Sequence, residues 1–341
     1  MCDDNYKLSK RLVFRPVGGF LMSKVRVMRK FYIIAISLFT LIGCRDSVET
    51  PRHTIGFSSQ VNRSIVEGVE DLHEGGGIKL FGTATLTSGD IIRLFDAEQL
   101  YFDTDLYDWN YVNTRYWAPQ ADHRFYALWP YDTSADFSEE EAKVTINHTA
   151  DADGADLLYA VASRNLLYNE DYSTVSLSFR HACAALQFSI INASDAVVTN
   201  VSNIYLTGVQ NKGTFTFDIS GTSDWVLDGS VVASTDRTTF GGDNLTNLAI
   251  DINTKHSLYA GGAVVVPPQE ILNTEILLHL EIKKQGNATA EVKDVMLGKL
   301  GASAPIEWEA GKKYEYTLTV TENAIVSNVK VVPWIDHYVD L

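Results

Sequence analysis

Short runs of Val, Ile, Thr, Tyr and Phe alternate along this chain with clusters of Gly, Asn, Asp and Ser, and helical periodicity is nearly absent. Val175, Leu177 and Phe179 interleave with Ser176, Ser178 and Arg180, which gives a strand one apolar and one polar face. Read this way, the first half predicts strands over 54–58, 77–86, 99–103, 124–129, 143–148, 157–162 and 175–191. The second half predicts 201–209, 213–218, 248–252, 263–267, 275–283, 291–297, 313–321 and 324–332. The segment 180–186 also suits a helix and is kept as strand. Asn211-Lys212-Gly213 and Gln285-Gly286-Asn287 are hairpin-type turns. The polar stretch 192–200 is the expected hinge between two domains, 44–192 and 193–341, each a sandwich of about seven strands. No repeat of 20–50 residues is visible.

One run departs from this pattern. Arg29 and Lys30 precede an apolar stretch from Phe31 to Ile42 that only Ser37 and Thr40 interrupt. A basic start and about a dozen apolar residues ending in small ones make a secretory signal peptide, too short to span a bilayer. Its close, Leu41-Ile42-Gly43-Cys44, resembles the bacterial lipobox, which implies lipidation of Cys44, residues 28–43 as signal, and an exported, membrane-tethered chain. Residues 1–27 push that signal away from the N-terminus. They are read as a mis-called upstream extension, with Met28 the expected start and Met22 the alternative.

Charge narrows the class of partner. The chain holds 28 Lys and Arg against 43 Asp and Glu, and beyond residue 43 the count is 20 against 41, a net of −21. Nucleic acid needs a cationic surface, so it is excluded as a partner. Cys183 is the one cysteine left after Cys2 and Cys44, so neither an intramolecular disulfide nor a multi-cysteine metal site is expected. In an apolar strand it reads as a buried, inert thiol.

Candidate chemistry is sparse. Between Tyr101 and Tyr131, eleven of 31 residues are aromatic. Rings stack on sugars, so Trp109 and Trp117 are candidates for binding a glycan; the alternative is that these rings cement the first sandwich. The run Arg124 to Pro130 alternates as a strand and supports the second. Asp151, Asp153 and Asp156 resemble a fragment of a calcium loop but lack the closing Glu and flanking helices, so a turn is expected. No nucleophile elbow, zinc-protease helix or phosphate loop occurs. His181 and Cys183 sit close in sequence, but a strand does not bring their side chains together as a dyad. Carboxylate pairs stay open, since 41 acids allow many. No cofactor, metal or enzymatic activity is expected.

An ordered set of segments completes the reading: His53 to Phe57, Val61-Asn62-Arg63-Ser64, Phe125 to Pro130 and Asp156 to Ala160. There follow Leu177 to Leu186 with its Phe-Arg-His-Ala-Cys, Val264 to Gln269, Gly311 to Val320 and Pro333-Trp334. In this order they resemble the fimbrillin family, the Mfa-like and FimA-like pilin lipoproteins of Gram-negative anaerobes. The resemblance implies an all-β chain of two tandem transthyretin-like sandwiches, Greek-key and Ig-like in topology. It also implies assembly with other fimbrillin subunits into type V pili for adhesion, at the cell surface, from an outer-membrane lipoprotein precursor. In that family an Arg-specific protease removes the first strand, and a strand of the next subunit fills the groove. Here the removed strand would be 54–58, with Arg63 the cleavage site and Arg52 the alternative. The donor would be 324–332, with Ile325, Val329 and Val331 filling pockets; the alternative reading has the same strand close its own domain. The rival function is a monomeric surface lipoprotein that binds host or microbial glycans through the aromatic stretch.

Overall fold

The computed structural model describes residues 52–61, 72, 76–154, 156–168, 170–272, 274–299 and 305–334. The extension 1–27, the signal 28–43, Cys44 and Arg63 lie outside them. Among the described residues the chain is all-β, with 22 strands and a short 3-10 turn.

Seven strands close into a barrel: β1 (Phe57–Val61), β2 (Ile78–Leu86), β3 (Ile91–Asp103), β4 (Asp108–Asn110), β5 (Ala121–Trp129), β8 (Leu158–Asn165) and β9 (Val175–His181). The ring order is β1-β4-β3-β2-β5-β8-β9, and β9 returns to β1. Every neighbouring pair in the ring is antiparallel except β9–β1, which is parallel. Leu80, Phe95, Leu100, Phe125, Leu177 and Phe179 fill the interior. Gly82 sits at a register shift between β2 and β3, where a Cβ would come within 2.8 Å of the Phe95 ring. Its bare backbone makes room for that ring.

A second layer lies on the outside of β2 and β5. It is built from β6 (Asp136–Ser138), β7 (Lys143–Thr149), β12 (Lys212–Asp218) and β13 (Ser223–Leu227), in the order β13-β12-β7-β6. Val144, Ile146, Phe215 and Phe217 pack there against Phe81, Tyr126 and Leu128. This layer explains the burial of β5. Its first half alternates, but Phe125 to Trp129 are buried without interruption, because each face of the strand meets apolar side chains.

The predicted strand 175–191 is two strands. After β9 the chain bends at Ala182 and Cys183 and continues as β10 (Ala184–Asn192). The ladder breaks because the backbone there bonds elsewhere. Ala182 carbonyl accepts from the Trp225 indole at 2.7 Å, and Cys183 carbonyl accepts from the Gly311 amide at 2.9 Å. From this bend onward β10 belongs to another core. One sheet of that core is β15 (Asp251–Ser257), β10, β21 (Lys312–Val320) and β22 (Ile325–Pro333), with β16 (Val264–Val266) also beside β10. The other is β14 (Leu245–Leu248), β11 (Val198–Thr207), β18 (Leu277–Lys284) and β19 (Glu291–Met296). Phe188, Ile190, Val201, Leu206, Leu278 and Tyr316 meet between them.

The hinge expected at 192–200 is a hydrogen-bonded turn joining these two sheets. Asn192 is buried and donates to the carbonyls of Ala196 and Leu248, while its own oxygen accepts from the amide and hydroxyl of Ser194. The predicted strand 248–252 also divides, since β14 pairs with β11 in one sheet and β15 with β10 in the other.

His123 lies wholly buried in the barrel against Trp117, and its Nε2 accepts the Ala118 amide at 3.1 Å. Burial lowers its pKa from the ordinary 6.5 against the opposing pull of Asp122, and the half-buried His148 shifts the same way. The folded state therefore holds these rings neutral while the unfolded chain takes up protons below about pH 6.5. Stability is fully present above that value and falls as the pH drops below it. Urea midpoints measured from pH 8 to pH 5 should decline below about 6.5, and His123→Gln should flatten part of the decline. Midpoints that rise toward pH 5 would contradict this assignment.

Candidate functional site

The segment that closes the barrel comes from the N-terminal end of the described chain. The strand expected at 54–58 is found as β1, three residues further on, with Thr54 forming an isolated bridge to Tyr116. Its partners surround it. Five residues, Phe57 to Val61, pair with Val175 to Phe179 of β9, and Phe57 pairs with Trp109 of β4. Just before the strand, Ile55 amide donates to Arg115 carbonyl at 3.0 Å, and Ile55 carbonyl accepts the Tyr111 hydroxyl at 2.7 Å. His53 stacks on Tyr172 with ring centres 4.1 Å apart.

Alternation sends Ile55 and Phe57 inward, each 1% exposed. The Phe57 ring meets Phe95, Phe125 and Tyr111 edge to face at 5.4–6.1 Å. Two residues on, Ser59 Oγ accepts the Trp109 indole N–H at 2.8 Å. The slot that β1 occupies thus presents two apolar sites and one hydroxyl site, at every second residue.

The two candidate cleavage positions differ in what they would do to this slot. Arg52 is exposed, with its guanidinium over the Tyr116 ring, and it precedes β1. A cut there leaves β1 joined to the rest of the chain. Arg63 follows β1 in the sequence by two residues, so a cut there separates the strand.

At the other end, β22 matches the predicted 324–332 within a residue. It pairs with β21 from Val320↔Ile325 to Lys312↔Pro333 and ends its sheet. None of its nine residues is buried. Ile325 and Val329 are half-buried against the second core, and Val331 is 43% exposed. Its firm hold is the residue after it. Trp334 is buried and stacks on His181 at 4.1 Å with planes 10° apart. His181 Nδ1 in turn lies 2.5 Å from Asp156 Oδ2, both side chains buried. Asp156, His181 and Trp334 come from three segments far apart in sequence. Their meeting was not anticipated from the sequence, although each belongs to one of the segments that carried the resemblance.

The profile of the family described as Fimbrillin-like matches residues 66–334. The chain belongs to the fimbrillin-like family. The matched span begins after β1 and ends on Trp334. Comparison with curated proteins finds no match. Among solved structures, the fold resembles a fimbrial protein from Bacteroides vulgatus ATCC 8482 with TM-score 0.60 and 17% identity, covering 83% of this chain and 100% of that one. It also resembles a Bacteroides ovatus ATCC 8483 protein assigned to cell adhesion, with TM-score 0.52 and 16% identity, covering 84% and 100%. Membership makes this fimbrillin-like chain a fimbrial adhesion subunit, a structural class of protein found at the cell surface.

The remaining candidates find other roles in the fimbrillin-like fold. Trp109 and Trp117 are each 5% exposed and pack in the barrel core, so neither indole offers a face to a sugar. The exposed rings of that stretch are Tyr101, Tyr107 and Tyr116. Asp151 Oδ1 accepts the Asp153 amide within a turn, and Asp156 is turned to His181. Among the described residues no group of His, Cys, Asp or Glu is placed to hold a metal. Cys183 is buried, and burial with the nearby Asp156 charge pushes its thiol pKa well up, the opposite of an activated nucleophile.

Trp334→Ala would empty the site on His181. The expected loss is about 3–5 kcal/mol of unfolding free energy, read from urea titration. A change under about 1 kcal/mol would mean that the indole contributes little to holding the C-terminal end.

Proposed function

We propose that this fimbrillin-like chain is a pilus subunit exported through the 28–43 signal, tethered by lipidated Cys44, and polymerised by strand exchange. Cleavage at Arg63 releases the N-terminal segment with β1, and the vacated slot accepts a strand from a neighbouring subunit. Ile325, Val329 and Val331 of β22 supply the apolar contacts. The observation that carries the reading is the position of β1, the strand that closes the ring through its one parallel pairing.

Physical chemistry supports a strong drive to refill that slot. Its loss uncovers the sites of Ile55 and Phe57, each worth about 1.5–3 kcal/mol of burial. It also bares the backbone edges of β4 and β9, and an unpaired edge is a template for another strand. β22 is an edge strand with no buried residue, so it has little apolar burial to lose on detaching. Arg52 serves the reading less well, since a cut there leaves β1 in place.

The deciding measurement is intact mass and N-terminal sequencing of protein from sheared surface filaments. A chain beginning at Ser64 is expected. A chain that keeps lipidated Cys44 and stays with the membrane would instead indicate an anchor subunit or a monomeric surface lipoprotein, and would sink proteolytic opening.

A further inference from the structure

β9 runs from the slot of β1 to the seat of Trp334, and its two ends are held by different partners. Its first five residues, Val175 to Phe179, pair with β1. Its last two, Arg180 and His181, pair with Tyr159 and Leu158 of β8. Among the described residues no other strand pairs with Val175 to Phe179, so β1 supplies their whole ladder.

An empty slot leaves that half of β9 with three buried side chains, Val175, Leu177 and Phe179, and no strand beside it. The core around them also loses Ile55 and Phe57. Backbone groups left unpaired in a half-open core are costly, so the segment must shift to find partners or water.

The far end of the strand leads straight to the C-terminal seat. Past the two β8 pairs, the Ala182 amide donates to the Leu157 carbonyl at 2.8 Å. Cys183 carbonyl accepts the Gly311 amide, and Gly311 carbonyl accepts the Trp334 amide, both at 2.9 Å. The Trp334 ring lies on His181, the last residue of β9, with centres 4.1 Å apart. Contacts therefore run without a gap from slot to seat. Such a chain couples two sites when one element in it has two arrangements.

We infer that β9 is that element, a lever between the slot and the seat. Paired with β1 it holds His181 beneath Trp334; with the slot empty it turns about residues 180–181 and loosens the indole. The inference rests on the proteolytic-opening reading above and adds a regulation to that slot: loss of β1 unfastens the C-terminal end of the same chain. Coupling is reciprocal, so an empty Trp334 seat also weakens the hold on β1.

The buried Cys183 thiol, two residues past His181, is a built-in reporter. Full-length chain is treated with N-ethylmaleimide, and labelling of Cys183 is timed by peptide mass. Phe57→Ala loosens β1 without a protease, and Leu80→Ala, on β2 in the same core, is the control. After scaling to each variant's unfolding free energy, Cys183 should label about tenfold faster in Phe57→Ala, within the usual span for coupled sites. Equal scaled rates overturn the lever. Phe57→Leu serves where the alanine variant does not fold. Deuterium exchange reads the reverse direction: Trp334→Ala should speed the amides of 57–61 about tenfold more than those of β2. Equal acceleration of both counts against the coupling. Arginine-specific protease, with the cut chain kept monomeric by dilution, separates the inference from the reading beneath it. A chain that sheds β1 and labels fast supports both. One that sheds β1 and labels at the uncut rate keeps proteolytic opening and sinks the lever. One that retains β1 sinks proteolytic opening, and the Phe57→Ala comparison still decides the lever.

Discussion

A ring of strands is free of edges only while every member is in place. In this chain the member that completes the ring is β1, and it is held differently from the rest. Its neighbours are held to the rest of the ring by antiparallel pairs, β4 to β3 over three residues and β9 to β8 over two. β1 is joined by one parallel ladder, one antiparallel pair and the buried Phe57, with the buried Ile55 just before it. It is therefore integral to the core while standing outside every pairing among the other six strands. The remaining six strands stay connected from β4 round to β9 when it is absent.

The same economy of contacts appears at the other end. β22 is an edge strand with half of its surface in water, and burial is concentrated in Trp334 beyond it. The indole does not sit in the core that β22 covers. It reaches the layer between the barrel and the second sandwich, where His181 and Asp156 hold it. The C-terminal strand is thus held along its length by backbone pairing with β21 and by buried side-chain contact only at Trp334.

Most strands were legible because their alternation is clean, as in 143–148, 213–218 and 313–321, which appear within a residue or so of prediction. The failures have particular causes. The long apolar stretch 175–191 hides a corner, since Ala182 and Cys183 are apolar like their neighbours and only tertiary hydrogen bonds break the ladder there. The start of β3 was missed because Ile91 and Ile92 are both exposed and Phe95 is the one buried residue of the strand before 99, so no period of two shows there. β4 and β6 are three residues each, too short to carry a period. The polar stretch 192–200 looked like a linker because Asn192 and Ser194 are hydrophilic, yet they are buried and spend their polarity on each other and on backbone. At the site, strand order could be read from sequence, but the burial of Trp109 and Trp117 could not, because an aromatic run looks alike on either side of a sheet. The consequence of cutting at Arg52 or at Arg63 needed the true limits of β1.

The layer on the outside of β2 and β5 draws one strand pair from before the Ala182–Cys183 bend and one from after it. Seven consecutive residues of β7 and β12 pair across that junction. A tensile load applied between the barrel and the second sandwich does not fall on the two bend residues alone. It is shared by the whole ladder, whose bonds lie side by side and must be sheared together instead of being unzipped in turn. In a fimbrial subunit, that lateral seam joins the two parts along their sides and not only through the chain between them.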